Sequence, residues 1–213
     1  MYATSLIFLI DDGPGNEQDN HHPRGVFVVD GRAGISRRYA IDWQAVDGVI
    51  FSGDPLDNRS YYAYGKPVLA VADATVSVAR DGFPDNVPRY EGQFHTAVAT
   101  TMETALGNSI TLDVGGGQFA HYAHLQRGSV RVKPGERVRR GQVLARIGDS
   151  GDARGPHLHF QVSTSVNAVA GEGVPYRIDK YCVAKQAAVL NEQRRGELPL
   201  NGRHVDFCEA KSK

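Results

Sequence analysis

The residues best suited to chemistry in this chain are histidines and one aspartate set in otherwise apolar runs. The run 155–160 (GPHLHF) places His157 and His159 two residues apart. In a strand, alternate residues share a face, so both imidazoles project to one side, about 7 Å apart, while Leu158 and Phe160 anchor the other. That pair suits one metal ligand and one neighbour acting on water beside the metal. Taken alone it also describes a polar strand surface. The run 122–125 (YAHL) supplies a third imidazole, His124. Strict alternation puts His124 and Tyr122 on one face and His121 on the other, so His121 is expected at the surface. Asp42 interrupts the apolar run 39–43 (YAIDW). A carboxylate there must be paired, hydrogen-bonded or metal-bound, because desolvating it bare is too costly. Arg37 and Arg38 are the ordinary candidates for its partner.

These side chains need a scaffold that brings distant segments together, and the chain reads as β. Runs rich in β-branched and aromatic residues occur at 26–30, 38–43, 48–53, 66–80, 109–114, 118–125, 129–132, 142–148 and 157–163, separated by Gly, Pro, Asp or Asn. Short strands at that spacing predict an antiparallel sheet, sandwich or barrel. The apolar stretch 5–10 has no preceding Lys or Arg and acidic residues follow it, so it reads as a strand and not as an export signal. Residues 11–25 are polar and turn-rich, completing an N-terminal segment of 1–25. The main domain spans 26–170, with a long insertion at 81–107 that lacks periodicity and is placed to shape a binding site. The remainder, 171–213, reads as an appended extension with one short helix over 184–195 (AKQAAVLNEQRR), barred from extending by Pro199. GKPVLAVADATV and GERVRRGQVLARIGDSG echo one another as glycine-led turns before strands. Similar hairpins occur in biotinyl and lipoyl carrier domains, but no lysine sits at a hairpin tip, so the echo supports a hybrid-barrel sheet and no carrier function.

The order of blocks is more specific than any block alone. Asp42, YGKPVLAVADATV, GNSITLDVGGG, YAHL, VKPGERVRRGQVLARIGDSG and GPHLHFQV together resemble the M23 (lysostaphin/LytM-type) zinc peptidases over roughly residues 38–163. The resemblance implies an open, mainly β fold of the LytM type and a zinc ion held by Asp42 and His159. It implies His124 and His157 as the catalytic pair, and peptide stems or cross-bridges of bacterial peptidoglycan as substrate. A wall substrate implies work outside the cytoplasm. Zinc polarises a scissile carbonyl and lowers the pKa of water it holds to about 7, while a nearby imidazole accepts and returns the proton.

The departure from the family pattern is Arg38, where the HxxxD motif would place a histidine. Arginine stays protonated and cannot ligate zinc. Either another residue completes the site, or the domain has lost its metal. Catalytic zinc keeps three protein ligands and one open position. A subgroup of similar proteins shares a histidine, basic residues, VDGR and RYAIDW, which resembles 22–43 here and implies His22 as the third ligand. His21 beside it, His95 in the insertion and His204 in the extension are the other candidates. The alternative, of a different class, is a catalytically silent LytM-like domain that binds peptidoglycan or regulates a partner hydrolase.

Other signals carry less. Lys plus Arg number 24 and Asp plus Glu 24, for a net charge of zero, which gives no reason to expect a nucleic acid or an anionic membrane. No apolar run approaches the ~20 residues of a membrane-spanning helix. GGGQ at 115–118 is a hairpin turn and no phosphate cradle, the basic run 137–140 is a solvated face, and Tyr61, Tyr62 and Tyr64 read as core. Ser150 has no nucleophile-elbow context. Cys182 and Cys208 fit equally a disulfide closing the extension or two thiols.

Overall fold

The computed structural model describes residues 7–12, 22, 25–46, 49–92, 94–184, 190–199 and 204–207. Its strands in chain order are β1 (Ile7–Asp12), β2 (Phe27–Val29), β3 (Arg32–Gly34), β4 (Ile41–Val46), β5 (Pro67–Leu69), β6 (Ala74–Arg80), β7 (Asn108–Gly115), β8 (Gln118–Leu125), β9 (Arg137–Val138), β10 (Val143–Arg146), β11 (Leu158–Ser163), β12 (Tyr181–Ala184), β13 (Leu190–Arg194) and β14 (His204–Asp206). Ten of them form one open antiparallel sheet in the order β13-β12-β14-β1-β4-β11-β8-β7-β6-β9, flanked by the two-stranded β10-β5 and β2-β3.

Register, more than strand length, defines this sheet. Residues directly opposite in an antiparallel pair face the same side. Ile41, Phe160, Tyr122 and Ile110 therefore form one line across β4, β11, β8 and β7. They are buried, with Leu112, Leu125 and Leu144, in a single hydrophobic cluster. Each such side chain contributes roughly 1.5–3 kcal/mol by leaving water. The next line, on the opposite face, is Asp42, His159 and Ala123. One face of β4, β11 and β8 is thus apolar and seals the core, and the other is polar and carries the chemistry.

The sequence echo has a structural meaning. Its two copies pair with each other: β5 with β10, and β6 with β9. Equivalent backbone bonds close the arrangement at both ends, Gly141 N–H to Ala70 O and Gly135 N–H to Val76 O, both at 2.8 Å.

The expected helix over 184–195 is absent from the described part of that segment. Ala184 ends β12 and Leu190–Arg194 is β13, paired from Tyr181↔Arg194 to Ala184↔Leu190; residues 185–189 lie outside the described residues. Ala, Gln and Glu favour helix only weakly, and pairing onto an existing sheet overrides such preferences. The extension continues the sheet, since β14 pairs with β1 and with β12, which covers the edge that β1 would otherwise expose. Cys182 on β12 is disulfide-bonded, and Cys208 lies outside the described residues. Residues 49–53 and 129–132 form no strand; Phe51 makes an isolated bridge to Tyr61. No described helix is long and apolar enough to cross a membrane.

Candidate metal centre

Asp42 and His159 face each other across β4 and β11, and Ala123 opposite His159 on β8 is too small to fill the space above them. His159 Nδ1 lies 2.9 Å from Asp42 Oδ1. Around the same carboxylate stand His157, with Nε2 at 3.7 Å from Oδ1, and His22, with Nε2 at 3.5 Å from Oδ2. His22 is only 1% exposed, and its ring meets that of His159 edge-on at 4.9 Å. His22, Asp42 and His159 each offer one ligand atom, and these atoms lie within 4.8 Å of one another. His124 completes the group, its ring 4.8 Å from that of His157 and 5.9 Å from that of His159.

His124 reaches this face through a backbone device that alternation does not foresee. The β7–β8 register runs Asn108↔Leu125 and then Ile110↔Tyr122, so β8 spends two residues where β7 spends one. At this bulge His124 adopts φ of +61°, a left-handed conformation uncommon for a residue with a Cβ. Both its backbone groups are tied: N–H to Leu106 O and C=O to Gly148 N, each at 3.0 Å. The kink turns His124 away from Tyr122, which stays in the core. The expectation that these two share a face is corrected accordingly.

The same register corrects His121. Opposite Thr111 and Gln161, it lies on the polar face and is 2% exposed. Its Nδ1 meets Thr111 Oγ1 at 3.0 Å and its Nε2 meets Ser163 Oγ at 2.9 Å. Burial, then the charge of His159, pushes its pKa down to about 4. It is a satisfied interior histidine, not a surface one.

Hydrogen-bond partners assign the imidazole tautomers. His124 Nδ1 lies 2.8 Å from Ser150 O, and His157 Nδ1 lies 2.8 Å from Gly155 O. A carbonyl only accepts, so both rings carry a proton on Nδ1 and turn Nε2 towards the site. His159 differs. Its Nε2 faces Gln161 Oε1 at 2.9 Å, and the Gln161 amide is oriented by donating to Ala168 O at 2.8 Å and Ser36 O at 3.3 Å. Nε2–H therefore points at Gln161, which leaves the Nδ1 lone pair directed at the Asp42 carboxylate. Two acceptors 2.9 Å apart repel unless the ring is an imidazolium or a cation sits with them. A donor set of two imidazoles and one carboxylate in this arrangement fits a zinc ion.

Electrostatics agree. Burial opposes ionisation of Asp42, but the imidazoles around it, His157 first and then His159 and His22, outweigh it and hold the carboxyl far below its usual range. Burial, and then His157 and His159, keep the His124 pKa well below that of a free imidazole, so His124 is neutral at physiological pH.

The other candidates fall elsewhere. Arg38 does not pair with Asp42; its guanidinium reaches Glu172 at 3.6 Å on the surface. Arg37 stacks over the Phe27 ring at 4.6 Å. His95 is exposed in the insertion, His204 sits on β14, and His21 lies outside the described residues. Tyr61 is buried with its hydroxyl donating to Pro55 O, and Tyr64 O–H donates to Asp85 Oδ2 at 2.8 Å. Ser150 is structural: its hydroxyl donates to Leu125 O and accepts from Asn108 N. The insertion clamps the loop that carries the Ser150 carbonyl, because Asn86 Nδ2 donates to Gly151 O and Ala153 O, each at 2.9 Å. Gln161 and the Ser150 and Gly155 carbonyls were not foreseen. For Gln161 a signal existed, since it stands two residues after His159 and shares its face.

Comparison with known proteins matches residues 60–171, just over half of the chain, to the model of peptidase family M23. His124, His157 and His159 fall within the matched part; His22 and Asp42 precede it. The chain is 32% identical over 79 residues to the peptidoglycan DD-endopeptidase ShyA of Vibrio cholerae serotype O1, covering 37% of this chain and 18% of that protein. It is 40% identical over 55 residues to the peptidoglycan DD-endopeptidase ShyC of the same organism, covering 26% and 12%. The match thus spans less than a fifth of these relatives. Among solved structures, a variant catalytic domain of the prophage-encoded M23 protein EnpA from Enterococcus faecalis is similar with a TM-score of 0.46 and 19% identity, over 82% of this chain and 91% of that one. The catalytic domain of lysostaphin from Staphylococcus simulans is similar with a TM-score of 0.40 and 19% identity, over 78% and 84%.

Proposed function

The chain belongs to peptidase family M23, and from that premise we propose that it is a zinc-dependent endopeptidase acting on peptide stems or cross-bridges of bacterial peptidoglycan. The single observation that carries the reading is the convergence of His22, Asp42 and His159 within 4.8 Å, beside a second pair of imidazoles, His124 and His157, each fixed through Nδ1. His22 Nε2, an Asp42 oxygen and His159 Nδ1 would hold the ion. Zinc in such a shell supplies Lewis acidity towards a carbonyl and makes water easier to deprotonate at neutral pH.

His124 and His157 move the proton and steady the developing charge. Each is fixed through Nδ1–H to a carbonyl, so each offers Nε2 to a water or to the departing amine without reorienting. His124 is neutral by burial and so open to accept a proton. Once protonated, it lies beside the Asp42 carboxylate, whose charge favours that state. The histidine that keeps its proton can donate to the tetrahedral oxyanion, a contribution of about 3 kcal/mol. The substrate class follows from the relatives named as peptidoglycan DD-endopeptidases, and it puts the working location outside the cytoplasm.

The test combines metal content with cleavage of purified peptidoglycan and of synthetic cross-linked peptides. The wild-type chain is expected to hold near-stoichiometric zinc and to release new amino termini. His159→Ala and Asp42→Ala lose both, whereas His124→Ala and His157→Ala keep zinc and lose cleavage. Wild-type protein that takes no zinc at saturating supply, and behaves as His159→Ala does, overturns the reading.

A further inference from the structure

A second carboxyl group lies behind the loop that fixes His124, and the metal centre does not use it. Asp149 is fully buried, and neither of its side-chain oxygens has a hydrogen-bond partner. Its neighbour is another carboxylate. Asp85, from the 81–107 insertion, accepts the Asp149 backbone N–H on Oδ1 at 2.9 Å and the Tyr64 hydroxyl on Oδ2 at 2.8 Å. Close by in the same contact layer, Asn58 Nδ2 donates to Asn86 O, Asn86 N–H donates to Asp149 O, and Asn58 Oδ1 is a buried acceptor with no donor. The cluster has surplus acceptors and lacks a donor.

We propose that Asp149 is a protonated carboxylic acid at neutral pH and that it acts as a positioning residue for His124. Burying an ionised carboxylate beside a second one, with no close hydrogen bond to either oxygen and only a weak approach by the Gly155 N–H, is far costlier than keeping the proton. The groups facing it are Asp85 from the insertion and Tyr61 and Tyr64 from the segment before β5; no cationic side chain is among those acting on it. Burial, then Asp85, raises its pKa to about 9, against a weaker pull from the Gly155 N–H.

The link to His124 is one residue long. Ser150 follows Asp149, bridges to Asp85, and its carbonyl holds His124 Nδ1 at 2.8 Å. A charge on Asp149 would repel Asp85, loosen the insertion from this loop and shift the carbonyl that orients the imidazole. The positioning half of the proposal rests on the catalytic reading of His124; the protonation half does not.

Asp149→Asn keeps a neutral donor in the same shape, and Asp85→Asn removes the opposing charge. The measurement is denaturant unfolding of the zinc-loaded full chain from pH 5 to pH 10. In the native wild type the proton stays on, while the unfolded chain releases it above about pH 4. The native state therefore binds more protons and stability falls as pH rises. Relative to Asp149→Asn, the wild-type folding constant is expected to drop by up to tenfold per pH unit until about pH 9 and to level off beyond it. Asp85→Asn makes the drop level off at a lower pH. A gap between wild type and Asp149→Asn that is constant from pH 5 to 9, or that moves in favour of wild type, overturns the proposal. A carboxylic acid C=O infrared band at neutral pH, present in wild type and lost in Asp149→Asn, reads the proton without unfolding. For positioning, the ratio of wild-type to Asp149→Asn kcat is expected to fall on the alkaline side with little change in KM. A flat ratio alongside the expected stability slope overturns the positioning role alone. A wild type that cleaves nothing overturns the endopeptidase reading and leaves the stability and infrared results decisive for the proton.

Discussion

Replacing Gln161 tests whether the acceptor behind His159 decides which ring nitrogen faces the metal. Gln161 is 1% exposed and makes three contacts: it accepts from His159 Nε2–H at 2.9 Å and donates to Ala168 O at 2.8 Å and Ser36 O at 3.3 Å. Methionine keeps the length and bulk but strands all three groups. At about 1–3 kcal/mol for each buried group left unsatisfied, with the longest contact discounted, Gln161→Met should destabilise the zinc-free protein by about 2–6 kcal/mol. With Nε2–H no longer favoured, the ring can carry its proton on Nδ1 and present the wrong nitrogen. Loss of such an outer partner typically costs about 10–100-fold in metal affinity. Gln161→Glu separates the two effects: it keeps an acceptor for Nε2–H but turns an oxygen towards the two carbonyls. It should lose stability and hold zinc. The assay is competition for zinc between the zinc-free chain and a chelator of known affinity, with urea unfolding run in parallel. If Gln161→Met binds zinc as tightly as wild type, or Gln161→Glu binds as weakly as Gln161→Met, the assignment of His159 Nδ1 as the ligand atom is wrong.

Four further outcomes are expected. His121, with its pKa lowered to about 4, is neutral in the native state while the unfolded chain takes up a proton below about pH 6.5. Stability should therefore fall by up to about 3 kcal/mol as pH drops through that window, and His121→Gln should flatten this acid limb in urea titrations; equal slopes would mean that native His121 is charged. His124→Asn tolerates the left-handed backbone whereas His124→Val does not, so thermal melts should place the valine variant about 1–2 kcal/mol lower, with zinc kept and cleavage lost in both. Arg38→Ala removes a surface ion pair worth less than about 1 kcal/mol and should leave zinc content unchanged; a fall would put Arg38 in the site. His22→Ala should cost about 3 kcal/mol of zinc binding, a quarter of the typical total for a four-ligand site, in the chelator competition. Wild-type affinity in His22→Ala, with a loss in His95→Ala, would move the third ligand to the insertion.

How far the site can be read from the chain depends on which interactions are local. His157 and His159 share a face because strand alternation is a backbone property, and Asp42 stands out because apolar neighbours on both sides leave a carboxylate few ways to be satisfied. The same rule groups His124 with Tyr122 and so sends His121 to the wrong face. What breaks the alternation is one extra residue in β8 between Tyr122 and Leu125, and the bulge is held by Leu106 O and Gly148 N from other segments. No pattern within 118–125 encodes those partners. The 184–195 stretch fails for a related reason: its helix preference is weak, while its residues enter a β12–β13 hairpin that β14 joins to the main sheet. Gln161 was hidden in plain view. Its value comes from carbonyls at 36 and 168, which only the folded chain brings to it.

The arginine at position 38 becomes intelligible once the register is known. Asp42, His159 and Ala123 are aligned by three paired strands, so two proposed ligand positions and the space above them exist whatever precedes β4. The turn that contains Arg38 is committed elsewhere: its N–H bonds Ile35 O, its head group reaches Glu172, and a Cβ on Gly173 would sit 3.0 Å from its backbone N. A third ligand need only arrive from some segment with an imidazole to spare, and His22 arrives from 20 residues upstream of Asp42. On the proposed reading this route has a thermodynamic consequence. An ion that binds only the folded chain adds about 4 kcal/mol of stability at a thousandfold excess over its Kd. Because one ligand belongs to the N-terminal segment, that stabilisation also ties the segment to the sheet. Chelation should therefore open position 22 to hydrogen exchange before the β4-β11-β8 core opens, whereas a His22→Ala chain should show that exposure with zinc present.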